Sequence, residues 1–305
     1  MKRNQTARHA AWLLLLTALL CSCAGASPQP EETAAAGRSA TLRTPDAVID
    51  YMDMRPAGAE SCRPLLLITG YAVTKEMWNP EFVRLLAAHR RVLLLDNRGM
   101  GPNSAPAGGF GIRDMARDAA ALLDGLGVRQ ADVLGWSMGG MIAQELALNR
   151  PDLAGALILY ATAPDSAELM PELDRMGAMS GPELLAAMFP PAWSREHPDA
   201  AARLPRQPRR PDLGVIARQY AAMRDWGGDV ERLSALRPPV LLLAGAADWV
   251  CPPERSRRMA SRIPGARLVE IPDGGHWMMH QFPAELARQV EIFLDAAAAA
   301  CGPRP

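Results

Sequence analysis

Short apolar runs alternate with amphipathic stretches along most of the chain, and the runs stop at turn-forming residues. Ala47-Val48-Ile49-Asp50-Tyr51-Met52 reads as an early strand with alternating faces. Pro64 to Ile68 carries Leu65, Leu66, Leu67 and Ile68 and stops at Thr69-Gly70. Val92 to Leu95 stops at Asp96, and Val133-Leu134 stops at Gly135. Ala156 to Tyr160, Val240 to Leu243 and Leu268 to Ile271 complete the series. Runs this short, bounded by turn residues, predict strands buried on both faces of a parallel sheet.

Between the runs, apolar residues recur at helical steps. Ile112, Met115, Ala116, Ala119, Leu122, Leu123 and Leu126 predict a helix that stops at Gly127. Met141, Ile142, Glu145, Leu146 and Leu148 predict a second, ended by Asn149-Arg150-Pro151. Pro283 opens a last one with Leu286, Val290, Phe293 and Leu294. This alternation predicts an α/β fold, a mostly parallel doubly wound sheet with right-handed crossovers. Reactive side chains in such sheets gather beyond the carboxyl ends of the strands. Residues 164–235 break the rhythm. They are rich in Pro, Met and Arg and hold no buried-strand pattern, so they predict a mostly helical insertion, with loops at Pro190-Pro191 and from Arg203 to Pro211.

Composition narrows the partners. Among 305 residues, 33 Lys+Arg balance 33 Asp+Glu, so no general field draws the chain to nucleic acid or to an anionic membrane. The beginning is different. Lys2, Arg3 and Arg8 precede an apolar run from Ala10 to Leu20, too short to span a bilayer and of the length of a secretory signal. Leu20-Cys21-Ser22-Cys23 resembles a bacterial lipobox, with Cys23 as the lipidated mature N-terminus. Ala24-Gly25-Ala26 also fits ordinary cleavage before Ser27. The favoured expectation is an exported, membrane-anchored lipoprotein touching the membrane only through Cys23, the alternative a soluble periplasmic or secreted protein. The predicted divisions are a signal peptide over 1–23, a flexible tether over 24–40, an α/β core over 41–163 and 236–298, the helical cap insertion over 164–235 and a tail over 299–305. Cys62, Cys251 and Cys301 show no CxxC spacing, so they predict neither a disulfide framework nor a zinc site, though one pair could form in an oxidising compartment.

The sharpest motif is Gly135-Trp136-Ser137-Met138-Gly139, followed by Gly140. It is a G-x-S-x-G elbow in its required context, after a strand and before an amphipathic helix. A serine on so sharp a turn adopts a strained backbone, glycines on either side admit neighbouring chains, and the helix N-terminus favours developing negative charge.

With this motif the chain resembles the α/β-hydrolase superfamily over roughly residues 41 to 298, where the order along the chain is serine, acid, histidine. Gly245-Ala246-Ala247-Asp248-Trp249-Val250-Cys251-Pro252 resembles the turn that supplies the acid after the seventh strand. Gly274-Gly275-His276 resembles the turn that supplies the histidine after the eighth. The resemblance implies Ser137 as nucleophile, His276 as the base that takes its proton, and Asp248 as the group that fixes the imidazole tautomer. His280 is the second choice of base and Asp165 the second choice of acid; His89 and His197 are expected at the surface. The oxyanion hole would come from the backbone N–H groups of Met138 and, by position, Tyr71. The loop that usually reads His-Gly-x is Thr69-Gly70-Tyr71-Ala72 here, which leaves its bracing open. Asp96-Asn97-Arg98-Gly99-Met100-Gly101-Pro102-Asn103-Ser104 resembles a structural loop of the family, with Arg98 expected to bond backbone carbonyls. Met170, Met176, Met179, Met188 and Phe189 could line an adaptable cap.

The implied activity is hydrolysis of a small, rather apolar carboxylic ester, lactone or thioester through an acyl-serine, a chemistry that calls for no metal and no organic cofactor. Ser137 argues against dehalogenase and epoxide hydrolase relatives, which place Asp at the elbow. Cofactor-free haloperoxidase (perhydrolase), carbon–carbon hydrolase, enol-lactonase and prolyl aminopeptidase chemistry share the scaffold. An aminopeptidase should hold a substrate amine with cap carboxylates, for which Glu168, Glu172, Asp174 and Glu183 are available. A non-catalytic binding protein on the same scaffold is the alternative from another class.

Overall fold

The structure, a computed structural model, describes residues 37–56, 62–103, 108–209, 212–228 and 230–300. The expected lipidation at Cys23, the signal peptide, Ser104 and Cys301 lie outside the described residues.

The apolar runs from Leu65 to Leu243 become strands that bury both faces, while Leu268 to Glu270, at the sheet edge, are half-buried. The strands are β1 (Arg38–Arg43), β2 (Val48–Met54), β3 (Leu65–Ile68), β4 (Val92–Leu95), β5 (Ala131–Trp136), β6 (Ala154–Tyr160), β7 (Val240–Gly245) and β8 (Arg267–Ile271). They form one sheet in the order β1-β2-β4-β3-β5-β6-β7-β8. β2 runs antiparallel to β1 and β4; from β4 through β8 all neighbours are parallel. Every residue of β3 to β7 is buried. Each such Leu or Ile side chain contributes about 1.5–3 kcal/mol over an exposed one.

The crossover helices are α1 (Pro80–Ala87), α2 (Ile112–Gly125), α3 (Met138–Asn149) and α9 (Pro253–Arg262); after β8 come the short α10 (Met278–Gln281) and the long α11 (Pro283–Ala300). The predicted period of α2 buries Ile112, Met115, Ala119, Leu122 and Leu123. Gly127, at φ 66°, turns the chain out of it. Between β6 and β7 lie α4 (Ser166–Met176), α5 (Gly181–Ala187), α6 (Pro191–Glu196), α7 (Ala200–Arg203), α8 (Leu213–Arg224) and a 3₁₀ segment Val230–Ala235. Glu145 of α3 ties this insertion to the core. It accepts from Trp226 Nε1 at 2.9 Å and from Arg232 Nη1 at 2.7 Å.

Three expectations change. Residues 38–40, assigned to the tether, are the start of β1, whose alternation of charged, small and apolar residues suits an edge strand open on one side. β2 does not alternate: Ile49, Asp50 and Tyr51 are buried in succession, because Lys75 neutralises the Asp50 carboxylate inside. Of Pro190-Pro191, only Pro190 lies in a loop, and Pro191 is already helical. Pro190 caps α6 and Pro191 opens it, where a fixed φ and a missing N–H cost nothing.

Candidate active site

Three turns at the carboxyl end of the sheet meet over β5. The first carries Ser137, directly after β5 and before α3, with φ 55° and ψ −119°. A non-glycine residue held there costs on the order of 1–3 kcal/mol and needs surroundings that over-determine it. They are present: Ser137 N–H donates to Tyr160 O at 2.9 Å, and Thr162 Oγ1 donates to Ser137 O at 2.7 Å. Gly135 and Gly139 are required by contact, since a Cβ on Gly135 would overlap the Gly139 carbonyl oxygen and one on Gly139 the Ile68 carbonyl oxygen.

The second turn follows β7 and carries Asp248. Its Oδ1 accepts from the N–H groups of Val250 and Cys251 at 2.8 and 2.9 Å, which aims Oδ2 outward. The third follows β8 and carries His276. The two turns pack glycine on glycine, with the Cβ position of Gly274 3.0 Å from Gly245 Cα. His276 Nδ1 is 2.9 Å from Asp248 Oδ2, and His276 Nε2 is 3.2 Å from Ser137 Oγ. Asp248 can only accept, so Nδ1 carries the proton and Nε2 is the acceptor for the serine hydroxyl. All three side chains are buried. The expected residues from three distant segments are thus brought together in one hydrogen-bonded line.

The second-choice groups sit elsewhere. His280 is half-buried; its Nε2–H donates to Met77 O at 3.1 Å and its Nδ1 faces Asn79 Nδ2. Burial lowers its pKa to about 4, so it is neutral near pH 7. Asp165 caps α4, accepting from Glu168 N–H at 2.9 Å. His89 is exposed and His197, half-buried, stacks on Trp193.

The loop expected to complete the oxyanion hole passes beside the nucleophile. The Cβ position of Gly70 is 3.4 Å from Ser137 Cβ, and Gly70 and Tyr71 line the same cleft as Ser137. Its bracing, left open by Thr69, comes from Asn97, whose Nδ2 donates to Thr69 O at 2.9 Å and reaches Thr69 Oγ1 at 3.2 Å. Further on, Lys75 N–H donates to Asp96 Oδ1 at 2.6 Å, and Lys75 Nζ pairs with Asp96 and Asp50. Burial raises the Asp96 carboxyl to about 6. Arg98 does not bond carbonyls as expected. It forms a buried pair with Asp118, 2.5 Å away at its nearest, because a guanidinium leaving water is best matched by a carboxylate fork.

The cleft is walled by the three turns and by the insertion, through Leu173, Met176, Leu184, Met188 and Tyr220. Trp136, Trp277, Val73 and Val250 add apolar wall from the core side. Counted out to its mouth, the space is about 820 Å³. Of the methionines expected in the cap, Met176 and Met188 line it; Met170 and Met179 pack on the core, and Phe189 stacks on Trp193. The carboxylates considered for holding an amine are engaged away from it. Glu172 pairs with Arg255 and Glu168 with Arg258, Asp174 accepts from Tyr220 Oη, and Glu183 caps α5.

Two further features escaped the sequence. Tyr160 Oη donates to His276 O at 3.2 Å and accepts from Met279 N–H at 3.1 Å, holding the histidine turn from below. Cys251 lies beside the acid: ligand atoms of Asp248, Cys251 and His276 are within 4.8 Å of one another, the set among the described residues that could hold a metal ion. Burial and the Asp248 charge raise the Cys251 thiol well above its ordinary value, which disfavours the thiolate a metal needs. Cys251 is a free thiol.

A strained serine elbow, an acid turn and a histidine turn thus meet at one end of this sheet. The sequence model of the alpha/beta hydrolase family matches residues 65–289, and the chain belongs to that family. It is 31% identical over 237 residues to the protein named "Putative carbamate hydrolase RutD" of Azorhizobium caulinodans, covering 74% of this chain and 87% of that one. It is 33% identical over 239 residues to "Putative non-heme bromoperoxidase BpoC" of Mycobacterium tuberculosis, covering 70% and 86%. To the rhodomycin D methylesterase DnrP of Streptomyces peucetius it is 30% identical over 256 residues, covering 70% and 84%.

Proposed function

We propose that this hydrolase cleaves a small carboxylic ester with an apolar acyl group, through an acyl-serine on Ser137. The observation that carries the reading is the line Asp248 Oδ2, His276 Nδ1, His276 Nε2, Ser137 Oγ, with steps of 2.9 and 3.2 Å.

Ser137 Oγ attacks the ester carbonyl carbon as its proton passes to His276 Nε2. Asp248 stabilises the resulting imidazolium. The carbonyl oxygen, now negative, is held by the N–H groups of Met138 and Tyr71 and by the N-terminal end of α3. When the intermediate collapses, the C–O bond to the alcohol breaks, and His276 returns its proton to the leaving alkoxide. Water then repeats the cycle with His276 as base and releases the acid.

The cleft supports the substrate class. Its polar lining is limited to tyrosines and the reacting groups, so an acyl chain is held by burial and not by charge. A relative that bears the name of a methylesterase agrees with ester chemistry; relatives with carbamate hydrolase and bromoperoxidase names share the scaffold but carry other substrates.

A series of para-nitrophenyl esters tests the reading. Turnover should rise with acyl length by up to about fourfold per methylene, as about 0.8 kcal/mol of burial per CH₂ implies, until the cleft is full. Leu184→Trp should move the optimum to shorter chains. Absence of turnover across the series would contradict the ester assignment.

A further inference from the structure

The insertion reaches past the cleft wall and grips the loop that carries Tyr71. Gln219, in α8, is fully buried, and its Oε1 accepts from Ala72 N–H at 3.0 Å. Its Nε2 reaches Arg98 O at 3.4 Å. Gln207, between α7 and α8, is also buried. Its Oε1 accepts from Thr74 N–H at 3.2 Å and its Nε2 reaches Ala72 O at 3.4 Å. Tyr71 Oη donates to Ile216 O of α8 at 3.3 Å. The loop therefore meets hydrogen-bonding partners from the insertion at three residues, Tyr71, Ala72 and Thr74.

The middle point is the informative one. Ala72 has φ 60°, a left-handed conformation that residues with a side chain rarely adopt. A glycine would take it freely, and this chain uses alanine, so its surroundings must hold it there. Both backbone groups of Ala72 are engaged by insertion glutamines. Ala72 N–H belongs to the peptide that leaves Tyr71, so the Gln219 bond fixes that peptide, and the Tyr71 N–H, on the peptide before it, is held through the Tyr71 backbone torsions and the Tyr71 Oη bond to Ile216 O. Gln219 is adjacent in α8 to Tyr220, which lines the cleft and donates to Asp174 of α4. A substrate pressed against Tyr220 acts on the same helix that fixes Ala72.

We propose that Gln219, assisted by Gln207, is a positioning residue for the oxyanion hole, so that seating of the insertion on the core sets the transition-state donor as well as the cleft wall. The inference rests on the serine-hydrolase reading. It excludes the simpler role in which the insertion selects substrates and leaves the chemistry to the core.

The test uses the full chain with a para-nitrophenyl ester. Gln219→Leu, similar in volume and without the acceptor, should lower kcat at least tenfold with KM within about threefold. Gln219→Glu keeps an acceptor oxygen facing Ala72 N–H and should recover most of kcat. A boronic acid, which forms a tetrahedral adduct on Ser137, should lose affinity in Gln219→Leu in step with kcat/KM, while the carboxylic acid product binds as before. A merely structural role would weaken both ligands together. Should Gln219→Leu not fold, Gln207→Leu, outside any helix, carries the same expectation. Parental kcat in a folded variant, equal loss of both ligands, or failure of both variants to fold would overturn the proposal. An inactive parent would instead sink the hydrolase reading on which it rests.

Discussion

Gly139, two residues after the elbow serine, lies directly under the end of β3: a Cβ added to it would overlap the Ile68 carbonyl oxygen and stand 2.6 Å from that of Thr69. Both obstacles are backbone, and they belong to the strand that leads into the Thr69-Gly70-Tyr71 loop. The elbow and the loop that carries Tyr71 are therefore spaced by one missing methyl group.

Gly139→Ala should push the two apart. Overpacking against backbone costs typically 1–3 kcal/mol, so the variant should lose about that much stability to denaturant. Its activity should fall by more than its stability suggests, because Tyr71 and Met138 would no longer share one oxyanion position. Parental activity in a folded Gly139→Ala protein would contradict this packing.

Asp248→Asn should leave the fold intact and cripple turnover. Asn Oδ1 can still accept from Val250 and Cys251 N–H. The NH₂ would then face His276 Nδ1 and favour the tautomer protonated on Nε2, which cannot take the Ser137 proton. A loss of about 10³–10⁴ in kcat with little change in melting temperature is expected. A loss below tenfold would show that Asp248 does not set the tautomer.

Acid should destabilise the protein in two windows. Loss of water around His280 lowers its pKa to about 4 from 6.5, so the unfolded chain binds more protons between those values. Its contribution is present above pH 6.5 and is lost as pH falls through 4. For Glu145, burial pushes the pKa up, but hydrogen bonds from Arg232 and Trp226 outweigh it and hold the carboxyl at about 2, against an ordinary 4.5. Its contribution, on the order of 3 kcal/mol, is present above pH 4.5 and is lost towards pH 2. Denaturant midpoints should fall with pH in both ranges, and Glu145→Gln should flatten the lower one. An unchanged lower limb in that variant would contradict the anchoring of Trp226 and Arg232 by Glu145.

How much of this was legible in the sequence follows from where each residue's partners lie. Val240 to Leu243 and Leu65 to Ile68 announce buried strands, because apolar side chains on both faces leave few other solutions. Ser137, Asp248 and His276 are legible because their turns need glycines at fixed offsets. β1 was not, because Arg38, Thr41 and Arg43 face solvent at an edge and resemble a polar tether. Arg98 was misplaced because Asp118 lies a helix away, and the sequence gives no sign of which carboxylate the fold will bring. Gln207, in a predicted loop, and Gln219 carry no sequence pattern that marks them; only the docking of the insertion onto the core buries them. Tyr160 looked like the end of a strand, and its hydroxyl acquires a role only when the histidine turn is laid over it.

The central claim is that the Ser137 hydroxyl, made nucleophilic by His276, is the atom that attacks. Mass spectrometry after treatment with a fluorophosphonate tests it most directly. The account predicts one phosphonyl group on Ser137, loss of esterase turnover in proportion to labelling, and neither labelling nor turnover in Ser137→Ala. Modification of another residue, or parental hydrolysis by Ser137→Ala, would contradict it.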